Sequence, residues 1–230
     1  MRLLLTPLLL VVMGHAHAAL IELASACPPG FETTAQNSCK LHTRYDQYDS
    51  LYDRGVGGLQ TALPHVRDGF SPQQIDLGRF LFFDPVLSGD QDLSCASCHH
   101  PKLGFADGRK RSIGAKGLEA ERAAPSLWNM AFLTRFFWDA RATSLEEQMV
   151  GPLFSPVEMA SSPAVLLERL NGNAEYRQLF TQAFPGQGDA ISLDQLYLAL
   201  AAFQTSLISL NSPYDRYAHG ATDAMTDKEL

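Results

Sequence analysis

The stretch Ser94-Cys95-Ala96-Ser97-Cys98-His99-His100 decides how this chain folds, because it contains the run Cys-x-x-Cys-His that attaches a c-type haem. Two thiols three residues apart on one helical turn can each bond a haem vinyl group, and His99 then directs its imidazole at the iron. A Cys-x-x-Cys pair also occurs as a redox disulfide or as half of a zinc site. The adjoining His99 and the lack of a second Cys-x-x-Cys favour covalent haem on Cys95 and Cys98, with His99 as the metal ligand.

Residues 1–18 have the features of an export signal. They combine the basic Arg2, an apolar run from Leu3 to Met13 and the cleavage pattern Ala16-His17-Ala18, which is typical of a secretory signal peptide. The apolar run is too short to span a bilayer. We therefore expect a periplasmic protein with no membrane span after signal cleavage. The formal net charge of −7 argues against nucleic acid as a partner.

Two further cysteines, Cys27 and Cys39, lie in the exported part of the chain. In an oxidising compartment we expect them to form a disulfide, which contributes about 3 kcal/mol by loop-closure reasoning. The alternative is a lipoprotein cysteine at Cys27, which is weaker because Ala24 stands where such signals usually have Leu. Residues 19–64 show no sustained hydrophobic period, and we interpret them as an N-terminal extension packed over the main domain.

No stretch shows sustained strand alternation, so the sequence predicts an all-α fold, a cytochrome c-type haem domain over residues 65–218. A capping signal, Ser71-Pro72-Gln73-Gln74, begins the first helix. Further helices are predicted from capping and breaking residues. They run from Pro125 to Leu133, from Thr143 or Ser144 to Val150 before Gly151-Pro152, from Ser162-Pro163 to Asn171-Gly172, from Asn173 to just before Pro185, and from Ser192 with Gln195 to about Leu210.

Several motifs between residues 71 and 218 resemble, in order and spacing, the N-terminal haem domain of the bacterial dihaem cytochrome c peroxidases and the related MauG. They are LGRFLFFDP at 77–85, LSG at 87–89, CASCH at 95–99, APSL at 124–127, FWDAR at 137–141, and Gly151-Pro152 with Glu158-Met159. The resemblance implies an exported c-type haem oxidoreductase. Such an enzyme reacts with hydrogen peroxide and draws electrons from a periplasmic electron-donor or substrate protein.

The resemblance also assigns roles to individual positions. Trp138 falls on the family's electron relay, Gln148 and Pro152 fall on distal-pocket positions, and Glu158 falls on the distal carboxylate. A carboxylate in a dry pocket can move a proton between the two oxygens of a bound peroxide. Each residue also has a simpler interpretation. Glu158 could complete a capping box with Ser155, Trp138 could belong to the core, and Gln148 could lie on a solvated helix face.

Two positions depart from the family's pattern. Peroxidases of the family carry a His after Ser-Ile-Gly that ligates the resting iron, whereas Ala115 follows Ser112-Ile113-Gly114 here. The resemblance to MauG-like members then implies an open sixth position on the iron. At Ala123 the family tends to have an Asn that helps to hold calcium, so calcium binding stays open for this chain.

The C-terminal segment and the single haem motif leave further alternatives. The segment NSPYDRY at 211–217 resembles the lead into a second haem domain. We therefore interpret residues 219–230 as the start of a missing second haem domain, in which the family has its second haem. The alternatives are a truncated, inactive fragment or a mono-haem electron carrier. In the carrier, the sixth iron ligand would be one of His42, His65, His100, His219, Met130, Met149 and Met159.

Overall fold

The computed structural model of this chain describes residues 21–42, 64–210, 212–218 and 221–229. The signal peptide, most of the second half of the extension, and His219 lie outside the described residues. The described part is mostly helical, which is compatible with a cytochrome c-like fold. Its strands are β1 Phe31–Thr33 and β2 Cys39–Leu41, and its helices are α1 Pro72–Phe83, α2 Cys95–Cys98, α3 Leu145–Phe154, α4 Pro163–Gly172, α5 Ala174–Ala183, α6 Leu193–Thr205 and α7 Pro213–Ala218.

Helices α1 and α6 pack against each other at the centre of the fold. Helix α1 begins as the sequence predicts, because the Ser71 hydroxyl accepts a hydrogen bond from Gln74 N at 3.1 Å while the Gln74 side chain accepts one from Ser71 N at 3.0 Å. At Gly78 a Cβ atom would lie 1.9 Å from the carbonyl oxygen of Ala199 on α6. Only glycine therefore permits this approach, which buries Leu77 and Leu81 completely.

Phe82 joins this core to the haem motif. Its side chain is fully buried, and its ring centroid lies 5.0 Å from that of Phe203 on α6. On its other side the ring lies 6.2 Å from Phe105 and 6.5 Å from His99, centroid to centroid. The cluster fixes the loop that follows the haem cysteines against the two central helices.

The predicted disulfide between Cys27 and Cys39 is present. It joins the start of the extension to β2, which pairs with β1 in an antiparallel hairpin. Cys39 is buried with Ile75 of α1 and Ala202 of α6, and its N–H donates to Phe70 O at 2.7 Å. Residues 27–41 therefore pack over the domain. Strands of three residues are too short to show a sequence alternation, so the hairpin was not predicted.

The helix predicted from Pro125 to Leu133 is wrong. In this stretch only Met130–Phe132 form a single 3₁₀ turn. Asn129 adopts a left-handed backbone conformation with φ of 64°, which an α-helix does not accommodate. Its side chain instead accepts from Ser209 N at 2.8 Å and donates to Ser209 O at 3.1 Å. A contact with a residue 80 positions away therefore overrides the local helical pattern.

Two predicted helix ends are also wrong. Helix α3 continues through Gly151 and Pro152 to Phe154. The proline removes one N–H, but Leu153 is buried in the core, and this burial holds the last turn. Helix α6 ends at Thr205 instead of near Leu210, because the hydroxyls of Thr205 and Ser206 donate to the carbonyls of the preceding turn. In the described part of the chain, no helix is long and apolar enough to cross a membrane.

Candidate haem site

The loop that precedes the haem cysteines is held by side chains. The fully buried Ser88 hydroxyl accepts from Asp92 N at 3.1 Å and from Leu93 N at 3.2 Å. The Arg169 guanidinium of α4 donates to three backbone carbonyls of this loop, at Val86, Ser88 and Gly89. Backbone groups of the loop are thereby satisfied within the protein, so the position of α2 is fixed relative to the core.

Helix α2 is a single turn that carries both thiols. Ser94 N donates to the Ser97 hydroxyl at 3.0 Å, and His99 N closes the turn on Cys95 O at 2.9 Å. Burial raises the pKa of the Cys95 thiol to about 12, and burial with the nearby Asp107 and Glu158 carboxylates raises the pKa of Cys98. Reactive redox cysteines have lowered pKa values. Two free, uncharged thiols fit covalent attachment to haem better than a redox disulfide.

The His99 ring is oriented by backbone carbonyls. Its Nδ1 lies 2.9 Å from Phe105 O and 3.1 Å from Pro125 O. Carbonyl oxygens only accept, so Nδ1 carries the proton and Nε2 keeps a free lone pair for a metal. Burial lowers the pKa of His99 against the opposing effect of these bonds. The imidazole is therefore neutral at neutral pH, the form that ligates iron.

A cavity of about 700 Å³ brings the predicted site residues together. Its volume lies within the usual range of about 300 to 1,000 Å³ for cofactor sites, and most of its walls are apolar. It is lined by all seven residues assigned from the sequence, namely Cys95, Cys98, His99, Trp138, Gln148, Pro152 and Glu158. The thiols, the neutral imidazole and the apolar walls fit a covalently bound haem. We call the side formed by Cys95, Cys98 and His99 proximal, and the side formed by Gln148, Pro152 and Glu158 distal.

The capping-box interpretation of Glu158 is wrong. Residues 156–159 form a turn in which Glu158 N donates to Ser155 O at 3.1 Å, and no helix begins there. The Glu158 side chain is half-buried on the cavity wall. Among the described residues, no group makes a hydrogen bond or an ion pair with its carboxylate. This carboxylate is therefore available to a ligand in the cavity.

The loop around Ala115 packs directly on the Glu158 turn. Ala115 N donates to Glu158 O at 2.8 Å, and only 4% of the Ala115 surface is exposed. At Gly114 a Cβ atom would lie 2.1 Å from Val157 O and 2.7 Å from the Glu158 Cα. Glycine at 114 is thus what allows the two segments to touch. The Ala115 methyl group, where family peroxidases carry a His, has no atom that could ligate iron.

Trp138 lies at the edge of the cavity. Its side chain is 66% exposed, which makes the core interpretation wrong, and its Nε1 donates to Ala123 O at 3.1 Å. Gln148 on α3 is half-buried in the cavity wall, so it is not a fully solvated helix position. In the part of the chain that the structure describes, no group of three or more His, Cys, Asp or Glu could hold a metal ion.

Residues 72–223 match the family model described as di-haem cytochrome c peroxidase. The chain belongs to this family. Di-haem cytochrome c peroxidases are haem peroxidase-type oxidoreductases with c-type haem. A MauG of Methylorubrum extorquens is 35% identical over 94% of this chain and 58% of its own length. A cytochrome c551 peroxidase of Pseudomonas aeruginosa is 40% identical over 80% of this chain and 55% of its own.

Solved structures agree with this assignment. A MauG-like protein associated with microbial copper homeostasis is 37% identical, with a TM-score of 0.65 over 71% of this chain and 50% of that one. The dihaem peroxidase BthA of Burkholderia thailandensis is 27% identical, with a TM-score of 0.56 over 67% of this chain and 50% of its own. This chain thus spans between half and three fifths of the length of these relatives.

The alternative iron ligands divide into two groups. His42, His65 and His100 are exposed and do not line the cavity. The three methionines named from the sequence, Met130, Met149 and Met159, are buried and line it. Met149 already accepts a hydrogen bond from Gln204, with 3.5 Å between its Sδ and the amide Nε2.

Sequence reasoning missed several residues of this cavity. Gln204 is buried on its wall, and the signal that could have found it is an isolated amide inside the apolar run of α6. Arg122 and Arg141 line the cavity and share the carboxylate of Asp139, at 3.2 and 2.8 Å. The carbonyls that orient His99 are backbone atoms, which leave no signal in the sequence.

Proposed function

We propose that this chain carries the peroxide-reacting haem centre of an exported di-haem cytochrome c peroxidase-type oxidoreductase. The observation that carries the proposal is the shared cavity, in which an oriented neutral imidazole and two uncharged thiols meet the unpaired carboxylate of Glu158. When bound through Cys95 and Cys98, haem c would supply an iron that takes up a peroxide oxygen and exchanges electrons.

Glu158 is the residue that moves the proton. Cleavage of the O–O bond needs a proton to leave the inner oxygen of peroxide and reach the outer one. A half-buried carboxylate without a partner among the described residues can accept the first proton and return it to the leaving oxygen. The turn is held by backbone atoms of Glu158, its N–H and its carbonyl oxygen. Its side chain is therefore free for this transfer.

Ala115 keeps the sixth iron position open in this proposal. A methyl group cannot occupy that position, so peroxide would not have to wait for a protein ligand to leave. The buried contact between Ala115 and the Glu158 backbone keeps this loop in place. This is the arrangement that the resemblance to MauG-like members implies.

Electrons would come from a periplasmic donor or substrate protein by way of Trp138. The indole reaches from the cavity edge to the surface, and its bond to Ala123 O holds its orientation. Export is supported by the signal-peptide pattern of residues 1–18 and by the Cys27–Cys39 disulfide, since disulfides persist in oxidising compartments. In the longer relatives a second haem domain would complete the electron path.

The test uses the haem-loaded chain mixed with hydrogen peroxide in a stopped-flow spectrometer. Glu158→Gln should slow the reaction by about 10² to 10⁴, the usual effect of losing a general acid-base group, and should leave the fold unchanged. The matched control is Glu168→Gln, an exposed carboxylate on α4 that does not line the cavity. An equal rate in the Glu158 variant would remove Glu158 from the mechanism. An unaltered chain that is inert to peroxide would overturn the proposal as a whole.

A mono-haem electron carrier is the second function, favoured by the three buried methionines in the cavity wall. A thioether ligand from Met130, Met149 or Met159 would close the sixth position. Such a protein would have a low-spin resting haem and would not react with peroxide. The stopped-flow experiment therefore separates the two functions.

A further inference from the structure

A cationic and apolar surface lies beside the proximal side of the cavity. We call it the proximal patch and define it by Lys102, Leu103, Arg109, Lys110, Arg111 and Trp128. Its two large apolar side chains are exposed, Leu103 to 54% and Trp128 to 40%. Its four cations are exposed as well.

These residues form one continuous surface. At Gly104 a Cβ atom would lie 3.8 Å from the Trp128 ring, and at Gly108 it would lie 3.7 Å from the Leu103 side chain. The Ser126 hydroxyl donates to Gly104 O at 2.6 Å and accepts from Trp128 N at 3.2 Å, which ties the two segments together. The apolar pair therefore borders directly on the run of cations that begins at Arg109.

The charge of the patch is not neutralised within the described residues. None of its four cations makes an ion pair there, and two carboxylates face them. Asp107 accepts from Arg109 N at 2.9 Å and turns its other oxygen into the protein. Glu119 shares a shallow hollow of about 540 Å³ with Arg109, Lys110 and Arg111. On a chain of net charge −7, this local positive excess selects an acidic partner by electrostatic complementarity.

Aromatic contacts connect the patch to the iron ligand. The Trp128 ring packs edge-to-face on Phe105, with 5.3 Å between centroids. The carbonyl oxygen of the same Phe105 accepts the Nδ1 hydrogen bond of His99 at 2.9 Å. A surface indole is therefore two contacts away from the imidazole that binds the haem. The path is distinct from the one through Trp138.

We propose that the proximal patch docks a small acidic one-electron carrier protein, and that Trp128 and Phe105 conduct its electron to the His99 side of the haem. The carrier is oxidised by one electron and the haem iron is reduced by one. No bond forms or breaks in the chain, and its residues neither gain nor lose a proton. The inference rests on the proposed function only in requiring a haem at His99.

The experiment uses the haem-loaded chain without peroxide, so that it does not depend on peroxidase chemistry. Flavodoxin, an acidic flavoprotein, serves as the probe, and a basic mitochondrial cytochrome c serves as the mismatched probe. Calorimetry at low salt should detect flavodoxin binding that weakens as salt rises. The double variant Lys110→Glu with Arg111→Glu should weaken binding about tenfold or more. Lys228→Glu, an exposed lysine outside the patch, should leave it unchanged.

Anaerobic stopped-flow mixing with flavodoxin hydroquinone then tests the path. Trp128→Leu keeps the apolar surface and all four cations, so we expect near-normal affinity with a loss of rapid haem reduction. Tyr214→Leu, at an exposed aromatic residue outside the patch and the cavity, should leave this reduction rate unchanged.

Four results would overturn the inference. They are no flavodoxin binding, equal binding of the basic cytochrome, an unchanged reduction rate in Trp128→Leu, and a self-association of the chain that Trp128→Leu abolishes, since a second copy would then occupy the patch. A chain that binds flavodoxin as expected but ignores peroxide would leave the inference standing while the proposed peroxidase function fails.

Discussion

On the proximal side of the cavity the His99 ring nitrogen Nδ1 meets two carbonyls within 3.1 Å. On the distal side the Glu158 carboxylate meets no hydrogen-bond partner among the described residues. The proximal side is built from nearby segments, since its ligand and both acceptors lie within residues 95–125. The distal side needs α3 and two separate loops around residues 115 and 158. The iron ligand is thus oriented by local contacts, whereas the reactivity of the cofactor depends on long-range packing.

The two sides also differ in how their functional side chains are held: the His99 ring is fixed by hydrogen bonds, whereas the Glu158 carboxylate is free to meet a ligand. A ligand whose second nitrogen is hydrogen-bonded keeps one tautomer and one orientation. A carboxylate without a partner keeps its oxygens free for the substrate, at the cost of an unsatisfied polar group on a partly dry wall. The contact of Gly114 and Ala115 with the Glu158 backbone offsets part of that cost by fixing the turn without using its side chain.

The largest expected effect comes from the proximal side. Replacing both Cys95 and Cys98 by Ala should abolish covalent haem, because no other thiol lies beside His99 in the described structure. Haem staining after denaturing electrophoresis of the exported protein measures this. The matched control replaces Cys27 and Cys39 by Ser and should retain the stain. Stain that survives the first pair of changes would show that the motif does not attach haem.

The next largest effect is expected from a change on the distal side of the cavity. Ala115→His should bring an imidazole to the loop position that ligates the resting iron in family peroxidases, converting an open iron to a low-spin one and slowing the peroxide reaction. Ala115→Phe adds comparable bulk without a ligand, so it separates ligation from crowding. Optical and electron paramagnetic resonance spectra report the spin state. Identical spectra for the two variants would mean that this loop does not face the iron.

A smaller effect is expected where the distal segments touch. Gly114→Ala would force a Cβ to within 2.1 Å of Val157 O, which should lower the free energy of unfolding by about 1 to 3 kcal/mol, as overpacking does. It should also slow the peroxide reaction by moving Glu158. Gly172→Ala on α4 is the control, because its added Cβ meets nothing within 4 Å. Urea unfolding followed by circular dichroism gives the comparison, and equal stabilities would contradict the close packing of the two loops.

The smallest effect on the haem site is expected from the remote disulfide. Changing Cys27 and Cys39 to Ser should cost about 3 kcal/mol of stability through the unfolded chain while leaving the haem spectrum as it was. Thermal unfolding measures the loss of stability, and the Soret band reports any change in the haem spectrum. A changed Soret band would mean that the hairpin supports the cavity through α1 and α6, where Cys39 packs.

Sequence reasoning succeeded where a signal is local. The capping residues Ser71, Ser162, Asn173 and Ser192 begin their helices as expected, because a side chain and an N–H two or three residues away decide a helix start. It failed where contacts between residues far apart in the sequence determine the local structure. Ser209 holds Asn129 out of a helix, and burial of Leu153 carries α3 past a proline.

The residues of the site also divide into those with a local signal in the sequence and those without one. Cys95, Cys98 and His99 follow from their spacing alone, whereas Glu158 and Gln148 could be named only by resemblance to a family. Their spacing gives no reason to expect them in one cavity with His99, which lies 49 positions before Gln148 and 59 before Glu158. The Phe105 carbonyl could be found only in the folded structure, since it reaches the site through backbone geometry. Gln204 leaves one signal in the sequence, an amide inside an apolar run, but that signal does not say which site the amide faces.

The central claim of the proposed function is that no side chain among the described residues occupies the sixth position of the iron. Electron paramagnetic resonance of the resting ferric, haem-loaded protein at neutral pH tests it most directly. The account predicts a high-spin signal that is unchanged when Met130, Met149 and Met159 are each replaced by Leu. A low-spin signal that one of these replacements converts to high-spin would contradict the account and identify the ligand that closes the site.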